Sequence, residues 1–229
     1  MHNSNTIPLP EVVPVMSLSE TTLFPQAVVP LYIFEERYRS MLEDALSTHR
    51  MICIADIENE YDDFTDANKK DKKISGIGMV RACKTNPDGT SHLILQGLAR
   101  IQIHQLILEK AYPQAVITEA KSSNKHSSIN TLNIKTNLLD AIECLIQLNQ
   151  QLPEDILPFL ASVSDEESLL DIAIASICPS GKFKQSLLET LDTEKRYHAF
   201  SSFLKKEKQQ ILINKKLLGD LDENDTKNN

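Results

Sequence analysis

Residues 12–46 read VVPVMSLSETTLFPQAVVPLYIFEERYRSMLEDAL. Two periodicities meet in this stretch. VVPVMSL is β-branched and apolar, as a buried strand would be, and Pro14 suits an edge or a bulge. LFPQAVVPLYIF cannot be helical throughout, because Pro25 and Pro30 push the residues before them into extended conformations. From Phe34 the pattern changes. Phe34, Tyr38, Met41, Leu42 and Ala45 recur at helical spacing, with charged residues elsewhere on the cylinder. The spacing predicts a helix over 34–46, with Glu35 and Glu36 at the positive end of its dipole.

Downstream, MICIADI (51–57) has strand character. ENEYDDFTDANKKDKK then reads as a solvated loop. Asp62, Asp63 and Asp66 lie close together there, but the alternating ligands and central glycine of a calcium loop are missing. Residues 74–120 read as a β-meander, with a turn at Asn86-Pro87-Asp88-Gly89 and a bulge or bend at Gly97. KSSNKHSSIN (121–130) is a linker by composition. Beyond it the period is helical: Ile134, Leu138, Ile142 and Leu145 share one face, and Ser164 with Glu167 forms a capping-box signature. Tyr197, Phe200, Leu204 and Ile211 mark the inner stripe of a last helix running towards Leu217. The acidic residues 218–229 read as a disordered tail.

The first stretch resembles the opening of the Lon N-terminal, or substrate-binding, domain family. The resemblance rests on Leu23-Phe24-Pro25, Val29-Pro30-Leu31, Ile33-Phe34-Glu35, Arg37-Tyr38-Arg39, Met41 and Ala45-Leu46. Gln26 stands where that family usually has glycine, and Glu36 where proline is common; glutamine does not readily take the positive φ that glycine allows. The resemblance continues through Gly78, Asp88-Gly89, Gly97 with Arg100, and Tyr112-Pro113 with Ala115 and Val116. It resumes in Asp171 with Ala173 and Ala175, in Lys184-Gln185-x-Leu187-Leu188-Glu189, and in Arg196. It implies an α+β fold: a PUA-like pseudo-barrel of mostly antiparallel strands over 12–120 with the helix 34–46 packed on it, then a C-terminal helical bundle over 130–217.

With 229 residues, 41% of them hydrophobic, the chain can bury a core without disulfides or metals. A net charge of −8 argues against nonspecific binding to nucleic acid or anionic membranes. No apolar run is long enough to span a bilayer and no secretory signal is visible, so a cytoplasmic location is the default expectation. Cys53, Cys83, Cys144 and Cys178 are far apart and read as structural thiols. Arg100, inside an apolar strand, reads as a structural cation paired with a carboxylate or with carbonyls.

Catalytic patterns are missing. There is no phosphate-cradling G-x-x-x-x-G-K-[ST], and the six histidines form neither H-x-H nor H-x-x-x-H. His104 reads as a half-exposed sheet residue. The ATPase and protease modules that follow this domain in Lon proteases are not expected here, nor is any cofactor or metal. The resemblance implies a non-catalytic module that binds exposed segments of other proteins, as an adaptor in proteolysis or quality control. Phe24, Tyr32 and Phe34 are the candidate contacts. Phe34 reads as core, whereas Phe24 and Tyr32, beside prolines in a loop, are divided between core and surface. Two alternatives are a small-ligand site between subdomains and RNA binding by analogy with PUA-like folds. The acidic balance opposes the second, as does the absence of aromatic interleaving in the lysine clusters Lys69-Lys70-x-Lys72-Lys73 and Lys205-Lys206-x-Lys208, which are interleaved with or flanked by acids. Oligomeric state is left open.

Overall fold

The structure is a computed structural model describing residues 7–57, 73–123, 131–148, 155–179 and 181–225. The acidic run Asp62–Asp66 and most of the 121–130 linker lie outside the described residues. Six strands and six helices are described: β1 Val12–Ser17, β2 Val28–Ile33, α1 Glu36–Ser47, β3 Met51–Ala55, β4 Ile74–Thr85, β5 Ser91–Ile107, β6 Gln114–Glu119, α2 Thr131–Leu148, α3 Ile156–Ser162, α4 Glu166–Ile177, α5 Lys182–Glu189 and α6 Thr193–Asp225. The chain divides into two compact units, Met1–Ser123 with Ile174–Leu191, and Asn124–Ala173 with Asp192–Asn229.

In the first unit the strands form one sheet in the order β2-β5-β4-β3-β1-β6, and β5 pairs with β6 as well. That extra pairing closes a ring of β1, β3, β4, β5 and β6 and leaves β2 as an appended edge. Among the described strand pairs only β1–β3 is parallel. This is the expected α+β pseudo-barrel. β5, seventeen residues long, makes the closure possible. Its first half pairs with β2, its second half with β6, and β4 runs along both.

Strand alternation sorts the apolar residues into two clusters. One draws on all five ring strands, through Val13, Val15, Cys53, Ile77, Ile101, Ile103, Ala115 and Ile117 among others. The other lies under α1, where Ile52, Ile54, Leu93 and Leu95 meet Tyr38, Met41, Leu42 and Ala45. Burying those four helix side chains drives α1 onto the sheet, the larger ones contributing about 1.5–3 kcal/mol each. The Tyr38 hydroxyl also accepts from the Ser17 N–H at 3.2 Å, fastening α1 to β1.

Several sequence expectations change. Helix α1 begins at Glu36, because β2 carries the extended backbone through Ile33 and Glu35 keeps ψ at 136°. The cap of α4 is Asp165, whose carboxylate accepts the Ser168 N–H at 2.8 Å. Glu167 reaches Arg196 instead of back to the helix start, at 2.8 Å. The last helix continues past Leu217 to Asp225, since no proline stops it and acidic composition alone does not break a helix.

In the second unit α2 and α6 pack through Leu138, Ile142 and Leu145 on one helix and Phe200 and Leu204 on the other. Arg196 is wholly buried here, with its Nε 3.2 Å from Oδ1 of the buried Asp171. Two charges at this depth are tolerated only because they are paired.

Candidate protein-binding surface

The approach to β2 is set by Leu23-Phe24-Pro25-Gln26-Ala27. The Ala27 N–H donates to the Phe24 carbonyl at 3.2 Å, and Gln26 has φ 63°. Proline at the second position and positive φ at the third make this a type II turn. Gln26 therefore occupies the left-handed region where glycine is usual. Gly97 lies directly beneath: a Cβ there would overlap the Phe24 carbonyl oxygen. The Gln26 N–H donates to the Gly97 carbonyl at 2.9 Å. The glycine permits close backbone approach next to a bulge, since Leu98 is skipped between the pairs Gly78–Gly97 and Ile77–Ala99.

Phe24 is fully buried, which removes it from the candidate contacts. The guanidinium of Arg100 sits over its ring at 5.4 Å, and the Arg100 Nε donates to the Leu188 carbonyl at 2.9 Å. Arg100 is thus the structural cation expected from its strand, bonded to the end of α5. Beside it the Gln185 amide donates to the Ile74 carbonyl at 3.0 Å.

Tyr32 and Phe34 are exposed, at 47% and 59%. Phe34 was expected in the core; it leaves the sheet before α1 begins and so misses the helix's inner face. Its ring stacks on Tyr32 at 5.9 Å, and Tyr32 meets the His92 ring at 4.6 Å. Cross-strand pairing explains the cluster, because residues opposite one another share a face. Val28 faces Gln96, Pro30 faces Ile94 and Tyr32 faces His92; on the far side of β5, Ala82 faces Ile94 and Lys84 faces His92. Arg81, the extra residue of a bulge, reaches Gln96 at 2.7 Å. The result is a three-strand face with exposed Val28, Pro30, Tyr32, Phe34 and Ile94 and a basic margin.

The edge of this face is shaped by Pro30. The Gly97 N–H bonds the Ala27 carbonyl at 2.8 Å, which fixes the ladder's alternation. With the Ala27 carbonyl on Gly97, the backbone groups of Val29, Leu31 and Ile33 point at β5, whereas those of Val28, Pro30 and Tyr32 point away. Proline is placed where its missing N–H costs the ladder nothing. Val28, Ile94 and His92 were not among the sequence candidates. The alternation in SHLILQ marks His92, Ile94 and Gln96 as one face, but only the long-range β2–β5 pairing, which sets Tyr32 opposite His92 and Val28 opposite Gln96, brings them to Tyr32.

Among the described residues the remaining titratable groups offer no catalytic set. The His104 Nε2 lies 2.7 Å from the Thr118 hydroxyl on the sheet surface. Burial pushes the Cys53 thiol far above its ordinary value, leaving an inert core residue. Among the described residues no group of three or more His, Cys, Asp or Glu side chains could hold a metal ion, and no helix is long and apolar enough to cross a membrane.

The profile of the ATP-dependent protease La (LON) substrate-binding domain matches residues 12–206. The Lon protease of Desulfosudis oleivorans is 25% identical over 195 residues, covering 85% of this chain and 24% of that protein. The Lon protease of Dictyoglomus thermophilum is 26% identical over 214 residues, 93% of this chain and 27% of that one. The chain thus spans about a quarter of the length of these relatives. Among solved structures, the N-terminal domain of the Mycobacterium avium complex Lon protease superposes with a TM-score of 0.63 at 17% identity, covering 86% of this chain and 98% of that domain. A Lon N-terminal domain protein from Xanthomonas campestris gives 0.57 at 15% identity, covering 83% and 97%. With the closed strand ring, the packed α1 and the motif residues Arg100, Gln185 and Leu188 joined in one place, the chain belongs to the LON substrate-binding domain family.

Proposed function

We propose that this chain is a recognition module that binds exposed segments of other proteins through the β2–β5–β4 face, acting without catalysis of its own and delivering clients to proteolysis or quality control. The observation that carries the reading is the contiguous exposure of Val28, Pro30, Tyr32, Phe34 and Ile94 on one face. A soluble protein gains nothing in stability by leaving two stacked aromatics in water, and such clusters mark interaction sites. Tyrosine and phenylalanine supply large contact area at small entropic cost. Family membership supports the same reading, since the matched domain is the substrate-binding one.

The test is titration of the full chain with a reduced, carboxymethylated unfolded polypeptide, followed by fluorescence anisotropy. Tyr32→Ala combined with Phe34→Ala is expected to weaken binding by about tenfold or more, as loss of aromatic hot spots does, while circular dichroism stays unchanged. Full affinity in a folded double variant would overturn the assignment of this face.

A further inference from the structure

The three segments that build the exposed face, Val28–Phe34, Met79–Thr85 and Ser91–Gln96, contain no aspartate or glutamate. They contain Arg81, Lys84 and His92, all exposed. The whole chain carries a net charge of −8, so this face is a basic island on an acidic protein. Two carboxylates that flank these segments in sequence, Glu35 and Asp88, are engaged elsewhere. Glu35, just beyond Phe34, pairs with the Arg37 Nε at 2.9 Å. Asp88, in the β4–β5 turn, accepts from the Thr90 N–H and hydroxyl at 3.0 and 2.7 Å.

We propose that the face selects apolar segments that also carry carboxylates over equally apolar segments that carry lysines. The inference rests on the reading of this face as a segment-binding surface and names the class of segment it takes. An apolar stretch lying over Tyr32, Phe34 and Ile94 would place its flanking charges beside Arg81 and Lys84 on β4. Carboxylates there meet opposite charge, whereas lysines meet like charge. Rim charges of this kind govern partner choice and association rate more than total affinity. The chain's net charge of −8 repels an acidic segment on average, so local attraction at this face also orients the encounter.

The test uses two fluorescein-labelled peptides with the same apolar residues, one with four glutamates and the other with four lysines, titrated against the full chain by anisotropy. The glutamate peptide is expected to bind about five- to tenfold more tightly at low salt, the scale of a few exposed ion pairs. The preference is expected to shrink between about 50 and 500 mM NaCl as the screening length falls. Arg81→Glu with Lys84→Glu is expected to reverse it. Lys205→Glu with Lys206→Glu, the same charge change on the exposed part of α6, is expected to leave it in place. Equal affinities for the two peptides, or a preference untouched by the Arg81 and Lys84 changes, would overturn the proposal while leaving segment binding standing. Binding of neither peptide would overturn both.

Discussion

Arg100 on β5 and Leu188 on α5 are 88 residues apart in sequence and 2.9 Å apart at Nε and carbonyl oxygen. The bond joins two motif blocks that lie in different parts of the chain, and the Phe24 ring under the guanidinium adds a third. Arg100→Met keeps the volume roughly but strands the Leu188 carbonyl. A loss of about 1.5–3 kcal/mol is expected, the range for hydrogen bonds to charged groups, read as a lower urea midpoint. An unchanged midpoint would mean that the carbonyl finds another donor.

Gln26 offers the opposite experiment. It holds φ 63° in a type II turn, a conformation that costs a residue with a Cβ about 1 kcal/mol or more. Gln26→Gly relieves that cost and returns part of it as entropy in the unfolded chain. The expected net gain is about 0.5–1 kcal/mol in urea unfolding, and a loss would show that the 3.4 Å contact between the Gln26 and Gln96 side chains matters more than the backbone.

Phe24, Tyr32 and Phe34 are expected to part company under alanine substitution. Phe24 is wholly enclosed, so Phe24→Ala should cost about 3–5 kcal/mol and lower the melting temperature sharply. Tyr32→Ala and Phe34→Ala should melt close to the parent and lose binding. A Phe24→Ala protein with parental stability would contradict the packing described.

Asp44 on α1 accepts from the Lys110 ammonium at 2.6 Å and from the Tyr112 hydroxyl. The bond from Lys110, then that from Tyr112, holds its carboxyl below the ordinary value. A carboxylate with a depressed native pKa contributes stability that is complete above about pH 4, the unfolded value, and is lost as pH falls through the lower native one. Asp44→Asn is therefore expected to reduce stability at neutral pH and to flatten the acid limb, the two proteins converging at the acidic end. Parallel curves across the whole range would assign the acid sensitivity to other carboxylates.

Much of the architecture was legible because it is written in local signals. Pro25 and Pro30 excluded helix, the turn at Asp88-Gly89 marked the β4–β5 hairpin, and Met41, Leu42 and Ala45 marked the buried side of α1. What was not legible depends on long-range pairing. Nothing local says that β5 is shared between β2 and β6, and that sharing is what closes the ring and carries His92 and Ile94 to Tyr32. Phe34 fits the helical period by spacing alone, yet the strand before it keeps its backbone extended. Nothing local to Arg196 marks it as buried; that follows from Asp171, on another helix, whose carboxylate lies 3.2 Å from its Nε.

Pro30 bears on a different matter, how the protein behaves when crowded. An uncharged edge strand with valine and tyrosine exposed is the sort of template on which copies of a chain zip together into fibres. The imino nitrogen sits in the middle of that template and offers no proton to a newcomer. The exposed side chains leave the surface apolar while its backbone offers no proton at the centre of the edge, so an apolar face and an edge ill-suited to sheet growth coexist in one six-residue strand.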